Sequence, residues 1–176
     1  MNRFAIRLLM LAMFSVALIA APVAVYAAPD SDPPPPPSSA KGKKKKSSEV
    51  KPGIEDAAFA NGYRAAYALV QAGDYKAAFA AFKALEADDT PDVANYLGYT
   101  ARKLGDYEAS KYWYERALAS DPNHVRTWQY YGMWHVEQGN MLKAQDFLER
   151  IRLICGGTAC KEYQDLKGGI EGTVVY

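Results

Sequence analysis

Three short segments punctuate the chain at nearly equal intervals: Gly73-Asp74-Tyr75, Gly105-Asp106-Tyr107 and Gly139-Asn140-Met141, with glycines 32 and 34 residues apart. A period of that length is the mark of stacked helix pairs. Each segment has a mechanical reading. The glycine ends one helix in the left-handed conformation that only glycine adopts cheaply. The Asp or Asn then caps the next helix by accepting a free backbone N–H. Thr90-Pro91-Asp92 and Asp121-Pro122-Asn123 close the first two units, because proline is tolerated in a helix's first turn and not in its interior. The pattern predicts helices over 55–71 and 75–87, 91–103 and 107–119, 124–137 and 141–154, with a short closing helix over 159–168. The one β-like piece is Thr173-Val174-Val175-Tyr176.

Small residues recur in the same register. Ala66, Gly98 and Gly132 each lie seven before their glycine, and Ala78, Ser110 and Ala144 five after it. Facing small sites let two helix axes approach closely. Phe82, Tyr114 and Leu148, nine after each glycine, are expected to fill the space around them. In the closing helix, Tyr163 and Leu166 are expected to cover the last unit's apolar face, as repeat arrays require.

With this pattern stated, the sequence resembles the tetratricopeptide repeat family. The second unit carries it best, with Leu97-Gly98, Gly105-Asp106-Tyr107, Tyr114, Ala117-Leu118 and Asp121-Pro122-Asn123. The third carries Trp128, Tyr131-Gly132, Gly139 and Ala144; the first is weaker and its junction to the second is two residues short. The layout is also similar to small exported tetratricopeptide proteins of Gram-negative bacteria. The resemblance implies an all-α fold, a right-handed superhelix of three hairpins with repeats at about 59–90, 91–124 and 125–156. It also implies a protein–protein interaction role without catalysis or cofactor, in which a peptide or helix of a partner lies in the concave groove. By register, the groove-lining side chains are Tyr63, Tyr67 and Val70, then Asn95, Tyr99 and Arg102, then Gln129, Met133 and Val136. About half of them are expected to pack between units instead. One family variant grips a terminal carboxylate with a Lys/Asn/Arg cluster. Here those places hold Tyr63, Tyr67, Tyr96, Arg126 and Tyr130, so that clamp is not expected.

The flanking segments differ in composition. Arg3, Arg7 and an apolar run from Leu8 to about Ala21 read as a signal peptide cut after Ala27, within Val25-Tyr26-Ala27; an uncleaved inner-membrane anchor is the alternative. The expected location is exported, and periplasmic in a Gram-negative cell. Residues 28–53 combine Pro33–Pro37 with a Ser/Lys stretch and read as a disordered linker. Lys41–Lys46 could alternatively touch anionic lipid or another polyanion. The remainder, a repeat domain over 54–170 and a tail over 171–176, carries no basic excess: residues 52–176 hold 13 cations and 17 acids. That balance argues against a nucleic-acid partner.

Cys155 and Cys160 are the only cysteines. An even count at short spacing in an exported chain favours a disulfide. A redox-active or metal-binding pair is the alternative, but the spacing is not Cys-x-x-Cys, and His124 and His135 are not tied to the pair by sequence. No metal site is expected. No phosphate loop or Gly-x-Ser-x-Gly element is present, and the chain is read as a non-enzyme. Partner, pathway and oligomeric state are left open by the sequence.

Overall fold

The computed structural model describes residues 54–173, which form seven helices and no strand. They are α1 (Ile54–Gln71), α2 (Tyr75–Lys83), α3 (Pro91–Lys103), α4 (Tyr107–Ser120), α5 (Val125–Glu137), α6 (Met141–Cys155) and α7 (Lys161–Glu171). Successive helices pack as the hairpins α1/α2, α3/α4 and α5/α6; α2 then leans on α3, α4 on α5, and α7 on both α5 and α6. The expected signal peptide and linker lie outside the described residues.

The repeated tripeptides build one turn three times. Gly73, Gly105 and Gly139 have φ of 76°, 80° and 72°. In each turn the N–H after the glycine donates to a carbonyl five residues back, as in Asp106 N to Ala101 O at 2.9 Å, which satisfies a helix end's spare acceptor. The same residue caps the next helix. Asp74, Asp106 and Asn140 accept from Ala77 N, Ala109 N and Lys143 N at 3.0, 3.0 and 3.3 Å. Asp106→Ala is therefore expected to cost about 1 kcal/mol, read by urea unfolding, whereas Asp106→Asn should cost far less.

Two helices depart most from expectation. α2 stops at Lys83 rather than at 87, and Glu86 takes a φ of 50°. The junction is short, so the chain must turn early; Leu85 is then laid against Gly62, where a methyl would sit 2.6 Å from its Cδ2. α7 begins one residue after Cys160 and runs through Gly168-Gly169 to Glu171, not to 168. Those two glycines are buried, and Gly169 gives room to Met133. The glycine that ends the helix is Gly172, at φ 70°.

The interior follows the small-residue register, with one change of partner. A methyl at Gly98 would meet the Tyr114 ring at 2.6 Å, within the α3/α4 hairpin. At Gly132 the space is filled by Leu166 of α7, whose Cδ2 would lie 2.5 Å from an added methyl, while Leu148 is only half-buried. The closing helix thus supplies the third hairpin's filler, and Leu166 is fully buried as a cap residue should be. Ala66, Ala78, Ser110 and Ala144 are buried as well.

Candidate functional site

The candidate binding face is built on the first helices of the hairpins, α1, α3 and α5. Tyr96 stands at its centre. Its ring stacks on Phe82 at 5.2 Å and meets Tyr63, Tyr67, Tyr99 and Tyr130 edge-on at 6.1, 5.4, 6.4 and 6.4 Å. Tyr99 also lies 5.1 Å from Tyr130 and 6.0 Å from Tyr75. Tyrosine suits this place because its body buries apolar area while its hydroxyl keeps a polar tip. Cations lie on the same rings. The Arg102 guanidinium sits over Tyr99 at 5.4 Å and Tyr130 at 6.0 Å, and Lys103 over Tyr75 at 5.9 Å and Tyr99 at 5.7 Å, an attraction between a cation and a ring's negative face.

A polar bridge ties α3 to α5. His124 Nε2 meets Asp92 Oδ1 at 3.2 Å and its Nδ1 meets Thr127 Oγ1 at 2.6 Å; Thr127 donates onward to Asn95 Oδ1 at 3.1 Å. Arg126 Nη1 lies 3.9 Å from Asp92. Burial alone would push the Arg126 guanidinium down, but Tyr96, Tyr130 and Asp92 together raise it, so it stays a cation. Burial, with Tyr96 and Asp92 adding to it, holds the Tyr63 hydroxyl protonated well above its ordinary range.

The nine residues assigned to the groove by register need correcting. Tyr63, Tyr67, Val70, Asn95, Tyr99, Arg102, Gln129 and Met133 are all buried, none more than 7% exposed; only Val136 is half-buried. Rather than half, nearly all of them serve packing in this state. The physical reason is that these register points are the seams between units. Tyr63 and Tyr67 wedge against Tyr96, Met133 sits over Gly169, and Gln129 Nε2 donates to Asp165 of α7 at 3.4 Å. Arg102 donates from Nη1 to Tyr130 O at 3.1 Å, with Glu137 at 3.9 Å. Sequence reasoning did not assign Asp92, His124 or Thr127 to this face. The signal was there, since Asp92 and His124 stand 32 residues apart, one repeat length.

Behind this face, between α5 and α6, His135 lies against Tyr131, Trp134 and Phe147 at 4.9, 4.9 and 5.0 Å. It is buried, and its Nδ1 has no hydrogen-bond partner among the described residues. Burial, and then the Lys143 charge, hold its pKa below the ordinary 6.5. The unfolded chain therefore takes up this proton first. His135 contributes full stability above pH 6.5, and that contribution is lost as pH falls from there toward the lowered folded value. The unfolding midpoint is expected to drop between pH 7 and pH 5, and His135→Phe should flatten that slope relative to the parent.

At the far end of α6 the sulfurs of Cys155 and Cys160 come together, with Cα atoms 6.3 Å apart. Gly156, at φ 69°, makes the turn, and Gln164 Nε2 donates to Thr158 O at 2.6 Å, holding it to α7. No helix among the described residues is long and apolar enough to cross a membrane.

Comparison with known proteins agrees with this architecture. The family model described as "Tetratricopeptide repeat" matches residues 91–124, which are α3, α4 and the turn that follows. The curated protein "Uncharacterized protein ycf37" of Guillardia theta is 30% identical over 69 residues, 38% of this chain and 39% of that one. The chain thus spans about two fifths of that relative's length. Residues 91–124 thus match a tetratricopeptide repeat, and the described residues around them form an all-α array of helical hairpins.

Proposed function

We propose that the repeat array is an adaptor in the cell envelope that holds a peptide or helix of a partner protein against the α1/α3/α5 face. The observation that carries this reading is the set of half-buried side chains Tyr75, Lys103, Arg126 and Val136 beside the buried tyrosine seam. Rigid aromatic area and fixed cations suit a partner segment that mixes apolar and acidic side chains. The envelope location rests on Arg3, Arg7 and the apolar run that follows them. In that compartment Cys155 and Cys160 form a structural disulfide that fastens α7 to the third hairpin.

Burial dictates the experiment. Truncating Tyr99 or Met133 would damage the fold, so the test uses half-buried positions. A photo-crosslinker in place of Val136 is expected to capture one defined partner from envelope extract, and Lys103→Glu should remove that product without loss of helical signal. The same crosslinker in place of Lys111, on α4, should capture nothing. Equal capture of the partner from both positions would show that binding does not use this face. Fractionation and mass measurement of the exported chain test the cut after Ala27.

A further inference from the structure

We infer that Cys155, Cys160 and Glu162 form a divalent-metal site of the zinc class when the two cysteines are reduced. In this structure the two sulfurs are bonded to each other, and a carboxylate oxygen of Glu162 lies within 4.8 Å of both; all three residues are half-buried. They come from two rigid elements and one short turn. Cys155 is the last residue of α6, Cys160 caps α7, and Glu162 is in the first turn of α7. The Glu162 carboxylate is also available as a ligand. It has no hydrogen-bond or ion-pair partner among the described residues, unlike Glu149, which Arg152 holds from two nitrogens.

The donor set selects the metal. Two thiolates with one carboxylate suit Zn²⁺ and exclude Mg²⁺ or Ca²⁺, which take oxygen ligands. With Zn–S at about 2.3 Å, tetrahedral ligation puts two sulfurs about 3.8 Å apart. The Cα separation of 6.3 Å accommodates that by side-chain rotation alone. Three protein ligands leave a fourth position for water, the arrangement of an open rather than a closed site. His124 and His135 are on α5 or at its start, outside the cluster; the third ligand is Glu162, which the spacing of histidines could not have pointed to.

Paired and metal-bound cysteines are mutually exclusive states. A dithiol reductant opens the pair: its two S–H groups become its own disulfide, and two electrons and two protons pass to the sulfurs of Cys155 and Cys160. Zn²⁺ then displaces those two protons as it binds both thiolates. The junction of α6 and α7 is thus held by a covalent link in oxidising surroundings and by a metal in reducing ones. α7 stays seated on Gly132 and Met133 in both.

The test uses the full chain, reduced with a dithiol, freed of it by gel filtration without oxygen, and titrated with Co²⁺ as the probe. A thiolate-to-cobalt charge-transfer band that saturates at one equivalent and is displaced by Zn²⁺ is expected. The oxidised chain and Cys155→Ser should give no such saturating band. Glu162→Gln, which keeps both thiols, should weaken Co²⁺ binding at least about tenfold. Absence of the band in a sample with two titratable thiols would overturn the site, and an unchanged affinity in Glu162→Gln would overturn the ligand set. Far-UV helical signal is read on the same reduced sample, and its loss would also overturn the inference, because the site is the folded junction.

Discussion

Tyr96→Ala is expected to cost about 3–5 kcal/mol of folding free energy, the range for truncating a buried large aromatic. Tyr96 is 1% exposed. Its ring joins four helices: it stacks on Phe82 of α2 at 5.2 Å, receives Tyr63 and Tyr67 of α1, and reaches Tyr130 of α5. Alanine removes every one of those contacts at once. The neighbours come from helices held by other contacts, so they can close the gap only in part. Tyr96→Phe keeps the ring and gives up only the hydroxyl, about 0.5–1.5 kcal/mol. Urea unfolding of the two variants separates the readings. A loss below about 1 kcal/mol for alanine would mean that the first hairpin is not coupled to the third through this ring. A large loss with an unchanged unfolding slope would show that the units melt together.

The tyrosine seam also shows what could be read from the residues and what could not. Helix ends were legible because they depend on one or two residues. A left-handed glycine followed by an Asp or Asn cap looks the same in sequence wherever it occurs, and the ends at Gln71, Lys103 and Glu137 follow from it. Burial was less legible because it depends on what lies across the gap. Register places Tyr63, Asn95 and Gln129 on the same side of their helices, yet whether that side is open is decided by Tyr96, Thr127 and Asp165 on the facing helices. α7 misled for the same reason. The closing helix was expected to end at 168, yet Gly169 continues it as a contact surface for Met133. The Asp92–His124–Thr127–Asn95 bridge was missed because its members are ordinary turn and helix residues taken singly. Only the packing of α3 beside α5 makes them a chain.

Gly98→Leu is expected to be strongly damaging, and it tests close approach separately from backbone conformation. A methyl at residue 98 would lie 2.6 Å from two carbons of the Tyr114 ring and 3.1 Å from a third. That ring cannot retreat, because it is fully buried and stacked at 5.4 Å on Tyr131. Alanine at 98 gains about 1 kcal/mol of helix propensity against an overpacking cost of about 1–3 kcal/mol, so a small net loss is expected. Leucine adds three more carbons with no place to go, and a loss above about 3 kcal/mol follows. Making room should restore part of it: in Gly98→Leu with Tyr114→Ala, the two losses should fall short of additive by about 1–3 kcal/mol. Gly105 supplies the contrast. At φ 80° with nothing within 4 Å of an added methyl, Gly105→Ala meets only the left-handed backbone penalty of about 1–2 kcal/mol. Tyr114→Ala should give it no relief. If the same double substitution rescued Gly105→Ala as well as Gly98→Leu, the recovery would be a general loosening of the hairpin and not space released at one contact.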